Sequence, residues 1–414
     1  MKPNVAVDYL ASKSWDGEMH ERTRWLRENE PVYWSEESGE NGLWVLSRFQ
    51  EVSEVSKNQE LFTSGDGIRP ANPVKLGLID EPEPRHTQLR SLINRGFTPR
   101  MVKKLSSVFL RITNESLDAI AKQGECDFVD DIAVPLPLLL IAEMIGIRKE
   151  DRDKFHQWSD AMIAAEGRLD DPAYVIPAAQ AHMAYSAYVT EIIEDRRKNP
   201  QDDLVSILTG AKDEGILQDF DHAPSEIDGM DEEGTKLAND ELIKMLVLLL
   251  VAGNETTRNG LSGGMQLLIE NPEQRQRLIE DPSLIPSAVE EMLRLVSPVN
   301  SFGRRATANT TLHDKQIKQG DWVLMLYPSA NRDAAEYDSP DEFRVDRNPH
   351  HVAFGLGKHF CLGANLARME MRVGFEELLR RLPDMEYSEG GPVLQPSALV
   401  RTCAHMRVRF TPET

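Results

Sequence analysis

Cys361 stands in the stretch Phe354-Gly355-Leu356-Gly357-Lys358-His359-Phe360-Cys361-Leu362-Gly363. One cysteine set among small and aromatic residues has the surroundings of a single thiolate metal ligand. Such a ligand serves haem iron, where its electron donation favours O–O cleavage. The glycines let backbone amides approach the sulfur and stabilise its charge. Gly363 lets the next helix begin close beneath a flat cofactor, and that helix directs its N-terminal dipole at the sulfur, which is expected to lower the thiol pKa. A second chemical string is Val251-Ala252-Gly253-Asn254-Glu255-Thr256-Thr257. Glycine inside a helix costs about 1 kcal/mol relative to alanine, so Ala252 and Gly253 beside an acid and a threonine imply a compensating use. The Thr256 hydroxyl can bond the Ala252 carbonyl one turn back and bend the helix. Glu255 and Thr256 then form a pair able to deliver protons into a site that otherwise excludes water.

The order and spacing of these segments resemble those of the cytochrome P-450 superfamily, in its soluble bacterial form. Its thiolate loop reads Phe, Gly, Arg or His, Cys, Gly; its oxygen-activating helix reads Ala or Gly, Gly, any residue, Asp or Glu, Thr. Glu291-Met292-Leu293-Arg294 resembles the family's buried Glu-x-x-Arg pair, with Arg344 or Arg347 as its further arginine. Asp80-Glu81-Pro82-Glu83-Pro84-Arg85-His86-Thr87-Gln88-Leu89-Arg90 resembles the bacterial Asp-Pro-Pro-x-His-x-x-x-Arg, departing at Glu81 and at Glu83-Pro84. His86 and Arg90, at i and i+4, share a helical face and are expected on the haem propionates together with His359 and Arg304. Arg305 remains an alternative to Arg304. Ala252, Gly253, Phe354 and Gly363 complete the expected haem contacts, around haem b held by Cys361.

The resemblance implies a haem-thiolate monooxygenase using O2 and electrons from an external ferredoxin and ferredoxin reductase, since the chain carries no flavin or nicotinamide motif. A peroxide-driven haem enzyme and a non-catalytic haem sensor or carrier are the alternatives; the Glu255–Thr256 pair speaks against the first. The segments Gly65–Pro70, Arg95–Arg100 and Ala252–Asn259 look like those of actinobacterial hydroxylases of steroid side chains and methyl-branched lipids. Ile68, Val74, Leu76, Leu78, Ile79, Val251, Val299 and Phe302 are expected to line the apolar pocket, with a terpene or macrolide as the alternative substrate. Arg95, Arg100, Lys103, Lys104, Lys358 and Arg368 are expected to frame a basic docking face for the ferredoxin.

Positioning these groups falls to helices. Helical periodicity runs through 21–28, 100–122, 183–198, 241–270, 286–295 and 364–381, with strand-like runs at 42–46, 322–326 and 406–410. The expected class is mainly α with small β-sheets, folded as one domain over 1–414 in the cytochrome P-450 fold. Residues 213–240 hold ten acids against Lys236 alone and predict a mobile surface loop. A net charge of −21 argues against nucleic-acid or anionic-membrane partners. The first residues show no apolar signal core and no membrane anchor, so a cytoplasmic protein is expected. Cys126, Cys361 and Cys403 are too widely spaced for a disulfide framework or zinc site.

Overall fold

A computed structural model describes residues 2–70, 77–94, 97, 99–165, 171–210 and 239–414. The expected pocket residues Val74 and Leu76, Arg95 of the docking face, and nearly all of the acidic segment lie outside these. Asn239 and Asp240, the end of that segment, already belong to a helix.

Helices dominate. The longest, Asn239–Glu270, runs through the main core. Packed on it are Pro135–Ile145, Pro172–Lys198, Ile285–Val296 and Ala364–Arg381, with Pro99–Ile120 against the last of these. Close approach along the long helix depends on missing Cβ atoms: one added at Gly264 would meet Phe375 at 2.5 Å, and one at Gly263 would meet Val296 at 2.7 Å. Pro135–Ile145 is apolar on nearly every side and sinks into the core apart from Pro135, Leu139 and the ion-paired Glu143, which are half-buried. It ends on Gly146 in the left-handed region, φ 81°.

A second core lies under a five-stranded sheet in the spatial order Val32–Ser35, Leu43–Leu46, Trp322–Leu326, Ser301–Ala306, Phe62–Thr63. Leu43–Leu46 and Trp322–Leu326 pair in parallel, Val45 opposite Leu324. The strand-like run 406–410 narrows to Arg407–Arg409. Among the described residues no helix is long and apolar enough to cross a membrane.

Between the helical core and the sheet lies a polar layer built on Glu291 and Arg294, both fully buried. Arg294 Nε and Nη2 donate to the two Glu291 carboxylate oxygens at 2.7 and 2.8 Å. Arg347 Nε donates to Glu291 Oε1 at 2.9 Å. Of the two arginines open in the sequence, Arg347 brings its side chain; Arg344 gives only its backbone N–H, at 3.3 Å. Arg294 Nη1 donates to the carbonyls of Asn331 and Pro340, each at 2.7 Å. Asn331 Oδ1 in turn accepts from Val352 N at 2.8 Å, where the cysteine loop begins.

Candidate active site

The loop from Val352 closes on itself through Gly355 N to Val352 O at 2.9 Å and Cys361 N to Phe354 O at 2.9 Å. Gly357 has φ +72°, and a Cβ there would lie 2.7 Å from Ser56 O, so the loop sits directly on the end of the Phe49–Lys57 helix. Cys361 lines a deep apolar cavity. The Ala364–Arg381 helix opens beside it, Ala364 N donating to Cys361 O at 3.4 Å, and the Gly363 and Ala364 amides favour the thiolate. Burial leaves the thiol raised, outweighing the expected lowering by the start of that helix, which is present from those amides together with the charges of Arg90 and Arg368. A Cβ on Gly363 would meet nothing within 4 Å; that glycine borders open space in the cavity.

Two arginines and two histidines converge on the same cavity. His86, Arg90, Arg304 and His359 all line it. The rings of His86 and His359 stack with centroids 4.0 Å apart, and His359 bonds Ser64 Oγ at 3.2 Å. His86 Nε2 is buried with no partner. Burial pushes His86 down and His359 to about 2, so both rings are uncharged at neutral pH. Strand alternation separates the two arginines: Arg304 is buried and Arg305 exposed. Arg304 Nη1 donates to Gly303 O at 2.9 Å, and among the described residues it has no carboxylate within ion-pair reach. Arg305 instead bonds Gly320 O and lies 3.3 Å from Asp66. An orphaned imidazole nitrogen, an unneutralised buried guanidinium and a thiol on one wall fit a flat cofactor with anionic edge groups.

On the long helix, Ala252, Gly253, Thr256 and Thr257 line the cavity. The Thr256 hydroxyl donates to Ala252 O at 2.7 Å, yet helix runs unbroken across it. A Cβ on Gly253 would come 3.1 Å from Ile141 Cδ1. Glu255 is turned off the cavity, buried, with Arg258 Nη2 at 2.6 Å and Asn259 Nδ2 donating at 2.8 Å. Burial raises its carboxyl pKa despite those two partners.

Leu78, Ile79, Val299 and Phe302 line the cavity as expected, and so does Phe354. Two residues do not. Ile68 is buried elsewhere, its carbonyl accepting from Gly303 N at 2.8 Å. Val251 is one step off the cavity face of its helix and packs into the main core. Met245, Leu248 and Leu249 take that place, with Ile141, Met144 and Ile145 across from them. Stepping back three, four and seven residues from Ala252 picks out the first three; Pro135–Ile145 carried no chemical signal. Glu370 also lines the cavity, its carboxyl pushed to about 8 by burial alone.

The expected docking face is thinner than its list of cations. Arg368 is held by both oxygens of Glu290, at 2.7 and 2.8 Å, and lies over the Phe354 ring. Lys104 pairs with Asp202 at 2.6 Å and Lys358 with Glu83 at 3.3 Å.

Comparison with known proteins agrees with this geometry. The family model described as cytochrome P450 matches residues 5–396. A steroid C26-monooxygenase of Mycolicibacterium smegmatis is 39% identical over 96% of this chain and 94% of its own. One from Mycobacterium tuberculosis is also 39% identical, over 94% of this chain and 93% of its own. Among solved structures, CYP109E1 from Bacillus megaterium in complex with testosterone superposes with a TM-score of 0.81 at 33% identity, covering 94% of this chain and 99% of that one. Mycobacterium marinum CYP268A2 in complex with pseudoionone reaches 0.86 at 30% identity, covering 99% of each.

Proposed function

Starting from the fact that the chain belongs to the cytochrome P450 family, and so is a bacterial-type monooxygenase, we propose that it hydroxylates a steroid side chain or a branched lipid, using O2 and electrons from an external ferredoxin system. The single observation that carries the substrate reading is the apolar part of the cavity's lining. Leu78, Ile79, Leu248, Leu249, Val299 and Phe302 form an aliphatic and aromatic stretch of it, beside the Thr256 and Thr257 hydroxyls, while His86, Arg90, Arg304 and His359 are the groups read as cofactor contacts. Such a stretch gives little to orient a polar substrate, whereas it accepts a hydrocarbon end by burial. The naming of two relatives as steroid C26-monooxygenases supports the same class.

The haem, read as haem b, supplies oxygen activation when bound. Cys361 would hold its iron, with the Gly363 and Ala364 amides favouring the thiolate. Arg304, Arg90, His86 and His359 would hold its carboxylates. Thr256 positions a proton at the cavity, and Glu255 behind it is the acid that resupplies that proton; burial raises its pKa, which favours its carrying one. The surrounding leucines and methionines keep bulk water out.

The test is spectral. A 3-oxo steroid with a full side chain, or a branched fatty acid, is expected to shift the haem spectrum on titration, with hydroxylation near the chain terminus. A shift with compact terpenes or macrolides alone would overturn the substrate class. Cys361→Ser is expected to abolish the red-shifted Soret band of the ferrous carbon monoxide complex, while Cys126→Ser and Cys403→Ser retain it.

A further inference from the structure

Glu290 precedes Glu291 on the Ile285–Val296 helix, yet its carboxylate takes its partners from the two ends of the cysteine loop rather than from the Glu291–Arg294 layer. Before the loop, the buried His351 ring brings Nε2 to 3.2 Å from Glu290 Oε2. After it, Arg368 on the second turn of the Ala364–Arg381 helix donates from Nε to Oε1 at 2.7 Å and from Nη2 to Oε2 at 2.8 Å.

The histidine is the neutral partner. Its Nδ1 accepts from Ala353 N at 3.2 Å, so the ring hydrogen sits on Nε2 and is donated to Glu290. Burial holds the ring's pKa down, in keeping with that state. Among the described residues, Arg368 is therefore the one full positive charge within ion-pair reach of Glu290. The pair is polarised toward the cysteine. The Arg368 guanidinium carbon lies 4.6 Å from the centroid of the Phe354 ring, against which the His351 ring also packs at 5.7 Å. Phe354 O takes the Cys361 N–H at 2.9 Å. Against burial, the Arg368 charge favours the thiolate there. The loop is already fixed by Val352 N on Asn331 Oδ1 at 2.8 Å and by its own turns. What the two-bond ion pair adds is a placed and partly compensated charge.

We propose that Glu290 and Arg368 are positioning residues that set the reduction potential of the haem iron through Cys361, which rests on Cys361 being that iron's thiolate ligand. On one-electron reduction by the external donor, the iron–thiolate unit becomes more negative by one charge. A cation nearby stabilises the reduced form and raises the potential; an anion lowers it. Arg368 pushes the potential up, and Glu290 holds part of that push back. Glu290 also keeps the guanidinium on the Phe354 face, where solvent screens it less than at the open surface.

The experiment is a spectroelectrochemical redox titration of the haem-loaded full chain at neutral pH without substrate, with the ferrous carbon monoxide band recorded for each variant. Glu290→Gln keeps the length and an acceptor oxygen but leaves Arg368 uncompensated, so its potential should rise. Arg368→Gln leaves the Glu290 charge alone and should lower it. The double variant should return close to the unsubstituted value. A purely structural clamp predicts otherwise. Both single variants break the same ion pair, so both would move the potential the same way, and the double variant would not recover. That result, or potentials unmoved in all three while the carbon monoxide band stays red-shifted, overturns the role of the pair. A band lacking the red shift in the unsubstituted protein would instead overturn the thiolate reading on which it rests. Should Glu290→Gln lose haem, Arg368→Gln and Arg368→Lys decide. The first should be lowered and the second, which keeps the charge, should stay near the unsubstituted value; equal displacement of both overturns the role as well.

Discussion

The layer under the cysteine and the wall above it are built on opposite terms. Beneath, Glu291 and Arg294 are wholly buried charges whose hydrogen bonds converge on the carbonyls of Asn331 and Pro340 and on Arg347. Above, Leu248, Leu249, Val299 and Phe302 offer contact without direction. A hydrogen-bonded buried network tolerates almost no substitution, because removing one partner leaves an uncompensated charge. An apolar wall tolerates exchange of volume. The lower region holds the loop at one geometry, and the upper region is free to differ in what it admits.

That contrast is open to breaking. The largest effect is expected from Glu291→Ala, which strands Arg294 and should cost about 3–5 kcal/mol; denaturant unfolding and haem retention measure it. A loss no larger than that of Leu248→Ala would erase the distinction between the two regions. Next comes Thr256→Ala, which leaves folding and substrate binding intact but should lower product per reductant consumed by about ten-fold or more. An unchanged ratio would remove the Thr256 hydroxyl from proton delivery.

Glu290 gives the contrast a pH signature. Burial raises its pKa, but hydrogen bonds from His351 and Arg368 and their charges outweigh this and set it at about 2, against an ordinary 4.5. Because the folded value is depressed, its stabilising contribution is complete above about pH 4.5 and is lost as pH falls toward 2. Glu290→Gln should flatten the acid limb of the stability profile there, as melting temperature against pH will show. The smallest effect concerns the outer surface. With Lys104 already paired to Asp202 and Arg368 to Glu290, Lys103→Glu with Lys104→Glu should slow reduction by a ferredoxin only a few-fold, and less at high salt. A rate indifferent to both changes would place the partner elsewhere.

What could be read in the chain follows the same division. Cys361, Thr256 and the Glu291–Arg294 pair were legible because their chemistry demands particular residue types at particular spacings. Arg304 and Arg305 were not separable until the strand Ser301–Ala306 assigned one to each side, and its sequence Ser-Phe-Gly-Arg-Arg-Ala hardly reads as a strand. The helix Pro135–Ile145 escaped notice because a run apolar except for Glu143 has almost no polar side to mark its orientation. Val251 was a phase error of one residue, which on a helix is 100° and enough to exchange cavity for core. Glu255 was found by pattern, but its turn toward Arg258 and Asn259 is a matter of helical phase and neighbours rather than of motif.

The parallel pairing of Leu43–Leu46 with Trp322–Leu326 sets a timetable for synthesis. At about 5–20 residues per second a ribosome needs on the order of tens of seconds to travel from the first strand to the second. For that interval the amino-terminal strands have no partner beyond their own hairpin, and their sheet-forming edge is exposed to other chains. The newborn protein therefore has a vulnerable period fixed by topology, longest for the very strands on which the Phe49–Lys57 helix and, through Ser56, the cysteine loop come to rest.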